Sequence, residues 1–272
     1  MTRRLIILLC FCTLFVISCK QDPKPVEETP VIPLTPVINY NVSAIIPHDT
    51  KHFTEGFLVY NGKFLESTGS PEEISTAESL IAEVDIATGK VEEKIRLDRT
   101  KYFGEGIVVV NNKLYQITYK NQKGFIYDAR TYKKIGEFTY PSKEGWGMTT
   151  DGKHVIMSDG TDQLSYLLPP EMTVVKNIRV TENDISLNYI NELEWIKGYI
   201  YANVWQTSDI VKIDPANGKV VGRMDLTSLK NEATASFRYS ELLNGIAYDS
   251  VSNKVYVTGK MWPSIYRIEF ER

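Results

Sequence analysis

Cysteine is the first thing this chain lacks. Its three cysteines, Cys10, Cys12 and Cys19, all fall within the first 19 of 272 residues. Everything after them is therefore without disulfides, thiolate nucleophiles or cysteine-ligated zinc. Histidine is nearly as scarce, with only His48, His52 and His154. His48 and His52 stand four residues apart, but on a strand-and-loop segment that spacing is not expected to bring two rings together, so no metal site is expected. An excess of positive charge is also missing. The 31 Lys and Arg against 34 Asp and Glu give a net charge of −3, which offers nucleic acid no basic face. After residue 19 no apolar run approaches the roughly 18 residues of a membrane-spanning helix. Amphipathic helices are few; "SPEEISTAES" and "TSLKNEATASFRYSE" read as decorated loops or short helices. The acidic turn "SDGTD" from Ser158 reads as a solvated loop rather than a calcium site.

The amino terminus has a different composition. "MTRRLIILLCFCTLFVISC" places two arginines before an apolar run, and residues 1–19 read as a secretory signal rather than part of the fold. Its end, Val16-Ile17-Ser18-Cys19, resembles a bacterial lipobox, which makes Cys19 the expected lipidation site. Residues 20–39, rich in Pro and Glu, read as an extended tether. The expectation is an exported lipoprotein of the bacterial cell envelope, on the periplasmic face or the outer membrane, touching the membrane through its lipid alone. Residues 40–272 are long enough for one large domain.

That domain has the texture of β-structure. "KFLEST", "IVVVNNKLYQITY", "HVIMSD", "YIYANVW" and "KVYVTG" are short, partly alternating and rich in Val, Ile and Tyr. Turn pairs punctuate them in "YNGK", "ATGK", "VNNK", "TDGK" and "ANGK". The pieces recur in order: a glycine-containing opener, an apolar strand, a turn before Lys, a second strand, and a third ending in Asp. Openers centre near Gly56, Gly106, Gly147, Leu193 and Gly245, a period of about 40–50 residues that marks propeller blades. The expected fold is all-β, a five-bladed β-propeller. The last blade stops at its third strand, so the N-terminal "YNVSAII" is expected to supply its outer strand and close the ring.

Two openers, "HFTEGFLVY" and "YFGEGIVVV", place Glu55 and Glu105 immediately before a glycine. In a propeller the first strand of each blade lines a central channel, so strand starts converge at one mouth. Glu55 and Glu105 are expected to face each other across a pocket there, with Trp146, Asn191 and Asn244 nearby. Glutamates that merely cap strand ends are the plain alternative. Trp195 and Trp262 fit blade core; Glu192 and Glu194 fit either pocket or rim.

"HDTKHFTEGF", "YFGEGI", "EGWGMTTDGKHVIMSDGT", "INELEWIKGYIYANVWQTSDIVKIDPANGKV", "LNGIAYD" and "VTGKMWPSIYRIEF" together resemble the glutaminyl-peptide cyclotransferases of the plant and bacterial type. The resemblance runs from about His48 to the C-terminus. It implies a five-bladed propeller that converts the N-terminal glutamine of a peptide or protein to pyroglutamate and releases ammonia, without a cofactor. It makes Glu105 the catalytic carboxyl and places Lys260 and Asn191 beside it. Phe53, Trp146 and Trp205 match further pocket positions. Two residues depart from the plant-type pattern: Glu55 stands where those members carry Gln, and Tyr119 where they carry Trp. The chemistry fits. An α-amine has a pKa near 8, so part of it is neutral at pH 7. Five-membered closure needs only a held rotamer, and one carboxyl can move the proton from the attacking to the leaving nitrogen. Burial beside Phe103 and Trp146, and the like charge of Glu55, are expected to raise the pKa of Glu105. Asn191 and Lys260 are expected to bond the carboxamide oxygen. A monomer acting on peptides is expected. A non-catalytic protein-docking propeller and a calcium-dependent lactonase-like propeller remain as alternatives; the latter requires several Asp, Glu and Asn side chains around one ion.

Overall fold

Two-residue turns fix three of the five inner hairpins. Tyr60 pairs with Lys63, Val110 with Lys113 and Ile196 with Tyr199, each leaving two residues at the bend. Both bend residues have positive φ in Asn61-Gly62, Asn111-Asn112 and Lys197-Gly198, the backbone of turns whose twist matches that of the strands they join. The next turns outward use aspartate. Oδ1 of Asp85, Asp128 and Asp214 accepts the amide two residues on, at 2.8, 3.1 and 2.9 Å. "DIATGK", "DARTYK" and "DPANGK" are therefore the same device in three blades.

The architecture is that of a computed structural model, which describes residues 34–271. Five four-stranded antiparallel sheets follow one another. The first blade runs Phe53–Tyr60, Lys63–Gly69, Leu80–Val84 and Val91–Arg96; the second runs Gly104–Val110, Lys113–Thr118, Lys123–Asp128 and Lys134–Thr139. The third has a short inner strand, Met148–Thr150, before Val155–Ser158, Gln163–Leu168 and Thr173–Arg179. The fourth is Ile190–Ile196, Tyr199–Val204, Asp209–Ile213 and Val220–Asp225. The fifth takes Leu243–Asp249, Lys254–Gly259 and Ser264–Phe270 from the C-terminus and its outer strand, Tyr40–Pro47, from the other end of the chain. This is a five-bladed propeller whose ring closes between Tyr40 and Phe270, as the unpaired last blade predicts.

The core lies between blades rather than within them. Five buried clusters fill the five interfaces. One joins Leu58 and Leu65 of the first blade to Ile107 and Leu114 of the second, and another joins Phe57 and Phe64 of the first to Ala247 and Tyr256 of the fifth. Apolar burial thus closes the circle independently of the strand exchange. The last residues of the expected tether are docked. Ile38 N–H donates to the Arg223 carbonyl at 2.8 Å, and Arg223 N–H donates to the Pro36 carbonyl at 2.9 Å. Ile38 lies over Gly222, where a Cβ would come within 2.7 Å of its Cδ1. "TSLKNEATAS" forms the one α-helix among the described residues, Thr227–Ser236, which buries Leu229 and Ala233.

The opener glycines serve the ring. A Cβ on Gly106 would lie 2.7 Å from Met148 N, and one on Gly147 only 2.3 Å from the Asn191 carbonyl oxygen. Neighbouring inner strands touch backbone to backbone at the channel mouth, and a side chain there would push two blades apart.

Candidate active site

Four of the five inner strands break register at their start. The shifts fall between Thr54 and Gly56, Gly104 and Ile107, Ile190 and Leu193, and Leu243 and Ile246. A bulge re-aims the side chain it displaces, and the displaced residues include Glu55, Glu105, Asn191 and Asn244. These turn toward the channel mouth instead of into a blade interface.

A cavity of about 210 Å³ opens there. Eight of the residues expected at the pocket line it, Phe53, Glu55, Glu105, Tyr119, Trp146, Asn191, Trp205 and Lys260, whereas Asn244 does not and is bonded to Glu55 instead. Phe103 and Pro71 complete the wall. Pro71 was not legible as a site residue; it comes from the "SPEEISTAES" loop, whose carbonyls at Pro71 and Ser75 accept hydrogen bonds from Arg99. The wall is aromatic on two sides. Trp146 stands edge-on to Trp205 with ring centres 5.6 Å apart, and Phe103 lies between Phe53 and Tyr119 at 6.3 and 5.8 Å. Trp146 Nε1–H donates to Glu144 at 3.0 Å and packs over Gly160, where a Cβ would lie 2.5 Å from the ring. Gly69 does the same for Phe103. "SDGTD" is thus the seat of a pocket tryptophan, and its Asp159 is occupied by Thr161.

The floor is ionic. Lys260 Nζ lies 2.6 Å from Glu55 Oε1 and 4.6 Å from the centre of the Phe53 ring. Asn244 donates to Glu55 Oε2 at 3.0 Å. Glu55 and Glu105 are not opposed across the pocket but lie close together, near enough for each to shift the other's proton affinity. Two adjacent carboxyls cannot both ionise cheaply in a dry site. Burial pushes Glu55 up, and the charge of Lys260 holds it partly back. Burial also lifts Glu105 well above the ordinary carboxyl range, and the charge of Glu55 lifts it further against the pull of Lys260. The arrangement is one carboxylate paired with an ammonium and, beside it, one carboxyl poised to gain or lose a proton. Asn191 is buried, and its Oδ1 has no hydrogen-bond partner among the described residues. A buried acceptor left unpaired costs about 1–3 kcal/mol, which a ligand donor recovers. Lys260 among these acids leaves little room for a calcium ion, so the lactonase-like alternative loses its ligand set.

Other expectations sort differently. Glu192 belongs to the channel wall below the pocket, where it accepts the amides of Phe57 at 3.3 Å and Ile246 at 2.9 Å. Glu194 accepts the Tyr248 amide at 2.7 Å and lines, with Trp195, a second cavity of about 400 Å³ at the far end of the inner strands. Trp262 is fully buried core. The expectation for His48 and His52 is overturned: both rings converge on Glu66, at 3.0 and 2.6 Å, because the chain turns between them before entering the inner strand. Cys19 lies outside the described residues.

Residues 11–270 match the sequence profile of a family described as glutamine cyclotransferase. The chain belongs to the glutamine cyclotransferase family. Among its cyclotransferase relatives is the glutaminyl-peptide cyclotransferase of Arabidopsis thaliana, 39% identical over 233 residues that cover 85% of this chain and 71% of that protein. The crystal structure of Myxococcus xanthus glutaminyl cyclase superimposes with a TM-score of 0.77 at 29% identity, covering 87% of this chain and 98% of that one. Comparisons of sequence and of structure thus agree on the family and on the propeller fold.

Proposed function

We propose that this protein converts the N-terminal glutamine of peptides or proteins to pyroglutamate with release of ammonia. The observation that carries the reading is a buried carboxyl with a raised affinity for protons, Glu105, beside the Glu55–Lys260 ion pair in an aromatic pocket open to solvent on one side. A glutamine side chain fits between the rings, and the rest of the peptide leaves through the mouth. The α-amine attacks the γ-carboxamide carbon, forming the ring C–N bond as the C–NH₂ bond breaks. Glu105 takes the proton the amine loses and returns it to the departing nitrogen, which leaves as ammonia; Glu105 ends as it began. Lys260 has N–H groups beyond the one it gives Glu55, and with the Asn191 amide it meets the oxygen on which negative charge develops. Two neighbouring charges fix the base strength of Glu105: Glu55 makes it a stronger base, and Lys260 prevents it from being protonated permanently.

The test is ammonia release from a peptide beginning with Gln, compared with the same peptide beginning with Asn. Turnover of the first alone, undiminished by strong chelators, is the expected result. No release from either peptide by the folded protein would remove the reading.

We further infer that the protein works as a monomer held at the cell envelope by lipid on Cys19. The support is the arginine-led apolar run and the Val16-Ile17-Ser18-Cys19 sequence. Cys19→Ser is expected to abolish fatty-acid labelling; equal labelling of mutant and parent would remove this part of the proposal.

A further inference from the structure

One buried cluster of titratable groups has no part in the reaction just described. Glu66, in the second strand of the first blade, is wholly buried. Its Oε1 accepts from Thr54 Oγ1 at 2.7 Å and faces His48 Nε2 at 3.0 Å, while its Oε2 faces His52 Nδ1 at 2.6 Å. Nδ1 of His48 lies 2.7 Å from the Trp262 carbonyl oxygen. A carbonyl only accepts, so Nδ1 carries a hydrogen. Burial would push Glu66 up, but the charges and hydrogen bonds of His52 and His48 outweigh it and hold the carboxyl well below the usual range. Glu66 is therefore ionised and is the acceptor at the centre of the cluster.

Backbone bonds extend the cluster across the ring closure. His48 N–H donates to the Pro263 carbonyl at 3.0 Å, and Met261 N–H to the His52 carbonyl at 2.7 Å. Residues 52 and 54 alternate with the pocket residues Phe53 and Glu55, and residues 261–263 directly follow Lys260. Every segment that Glu66 reaches, directly or through one histidine, thus presents a pocket side chain.

We propose that Glu66 is a positioning residue for the cyclisation. Through His52 and Thr54 it fixes the strand that carries Phe53 and Glu55. Through the two histidines it also fixes the Met261–Pro263 turn, so that Glu55 and Lys260 meet in register although they belong to different blades. The role rests on the cyclase reading of the pocket.

A metal ion is the competing use of the same side chains, the one group among the described residues with three such donors close together. Ligands of a tetrahedral zinc, at bond lengths of about 2.0–2.1 Å, stand about 3.3 Å apart. The separations of 2.6 and 3.0 Å are those of hydrogen bonds, and the carboxylate spends one oxygen on each ring.

The clamp touches Phe53, Glu55 and the Lys260 turn, whereas Tyr119, Trp146 and Trp205 stand on other blades. Loosening it is expected to disturb proton handling more than substrate holding. Glu66→Gln should lower kcat by about tenfold and change KM by less than about threefold; Thr54→Val, which removes one hydroxyl, should lower kcat by about threefold with folding intact. In both variants amide exchange of residues 259–263 should quicken together with that of residues 52–56, although Glu66 makes no direct bond to the former. Parental kcat in folded Thr54→Val and Glu66→Gln, or quickened exchange confined to the neighbours of residues 54 and 66, would overturn the proposal. So would one zinc per parental chain, lost in Glu66→Gln. If Glu66→Gln does not fold, Thr54→Val decides alone. Should the parent release no ammonia, the cyclase reading falls, while the exchange measurement still tests the clamp.

Discussion

Glu105 and Glu55 differ in what their neighbours leave them free to do. Glu55 is committed to Lys260 and Asn244, whereas Glu105 is paired with no cation among the described residues and has a raised affinity for protons. Glu105→Gln preserves the shape but cannot carry a proton; turnover is expected to fall by about two to four powers of ten with the folding transition nearly unchanged. Glu55→Gln removes the like charge and frees Lys260 to face Glu105, which lowers the pKa of Glu105. Activity that requires the ionised base should then extend to lower pH, and turnover should stay within about tenfold of the parent. A pH–rate profile of each variant checks both statements; an acid limb that moves upward in Glu55→Gln would reverse the assigned roles. At this scale the sequence was most legible where family motifs name a residue, as for Glu105, Asn191 and Lys260. It was silent on Pro71, Gly69 and Gly160, which matter because of what another part of the chain brings against them. The histidines show the same limit: their spacing along the chain carried no sign of Glu66, fourteen residues beyond His52 in the next strand.

Elements were legible where their signals are local. Turn pairs with positive φ set the hairpins, aspartates set the outer turns, and the recurrence of openers gave five blades. The bulges that aim Glu55, Glu105 and Asn191 at the channel have no such signature, because a register shift belongs to two strands at once. Neither has the recurrent brace between blades: Ser67 Oγ–H donates to the Glu105 carbonyl at 2.6 Å, and Ser158 Oγ–H to the Asn191 carbonyl at 2.7 Å. These hydroxyls hold the backbone behind two site residues. The opener glycines admit a direct test. Gly147→Ala would set a methyl against the Asn191 carbonyl and within 2.7 Å of the Glu192 Cα, both backbone atoms with little room to yield. The expected result is a loss of about 2–4 kcal/mol of stability together with a fall in kcat, since Asn191 must move. Calorimetry and turnover on the same sample check it, and an unchanged melting temperature would contradict the backbone contact.

At the scale of the whole ring, the channel concentrates buried acids. Glu194 is pushed up to about 8, chiefly by burial, and Glu192 is raised well above its ordinary value by burial and by Glu194. A carboxyl whose folded pKa exceeds its unfolded one favours the folded state fully below the unfolded value. That contribution is lost as pH rises through the folded value. The Glu194 contribution is therefore whole below about pH 4.5 and gone above about pH 8. Glu194→Gln, which still accepts the Tyr248 amide, is expected to raise the melting temperature by several degrees at pH 8 and hardly at all at pH 4.5. Equal gains at both values would show that the carboxyl is not held neutral. The closure of the ring has a consequence for how the chain is made. Tyr40 and Phe270 are partners 230 positions apart (270 − 40), so the earliest strand to be synthesised waits for the latest. Until then it is an open edge with unmatched amides, the kind of surface on which chains join one another instead of themselves. A message cut short near its end would therefore leave Tyr40–Pro47 with no strand to pair, with four of five blades intact and only side-chain contacts to hold the first against the last.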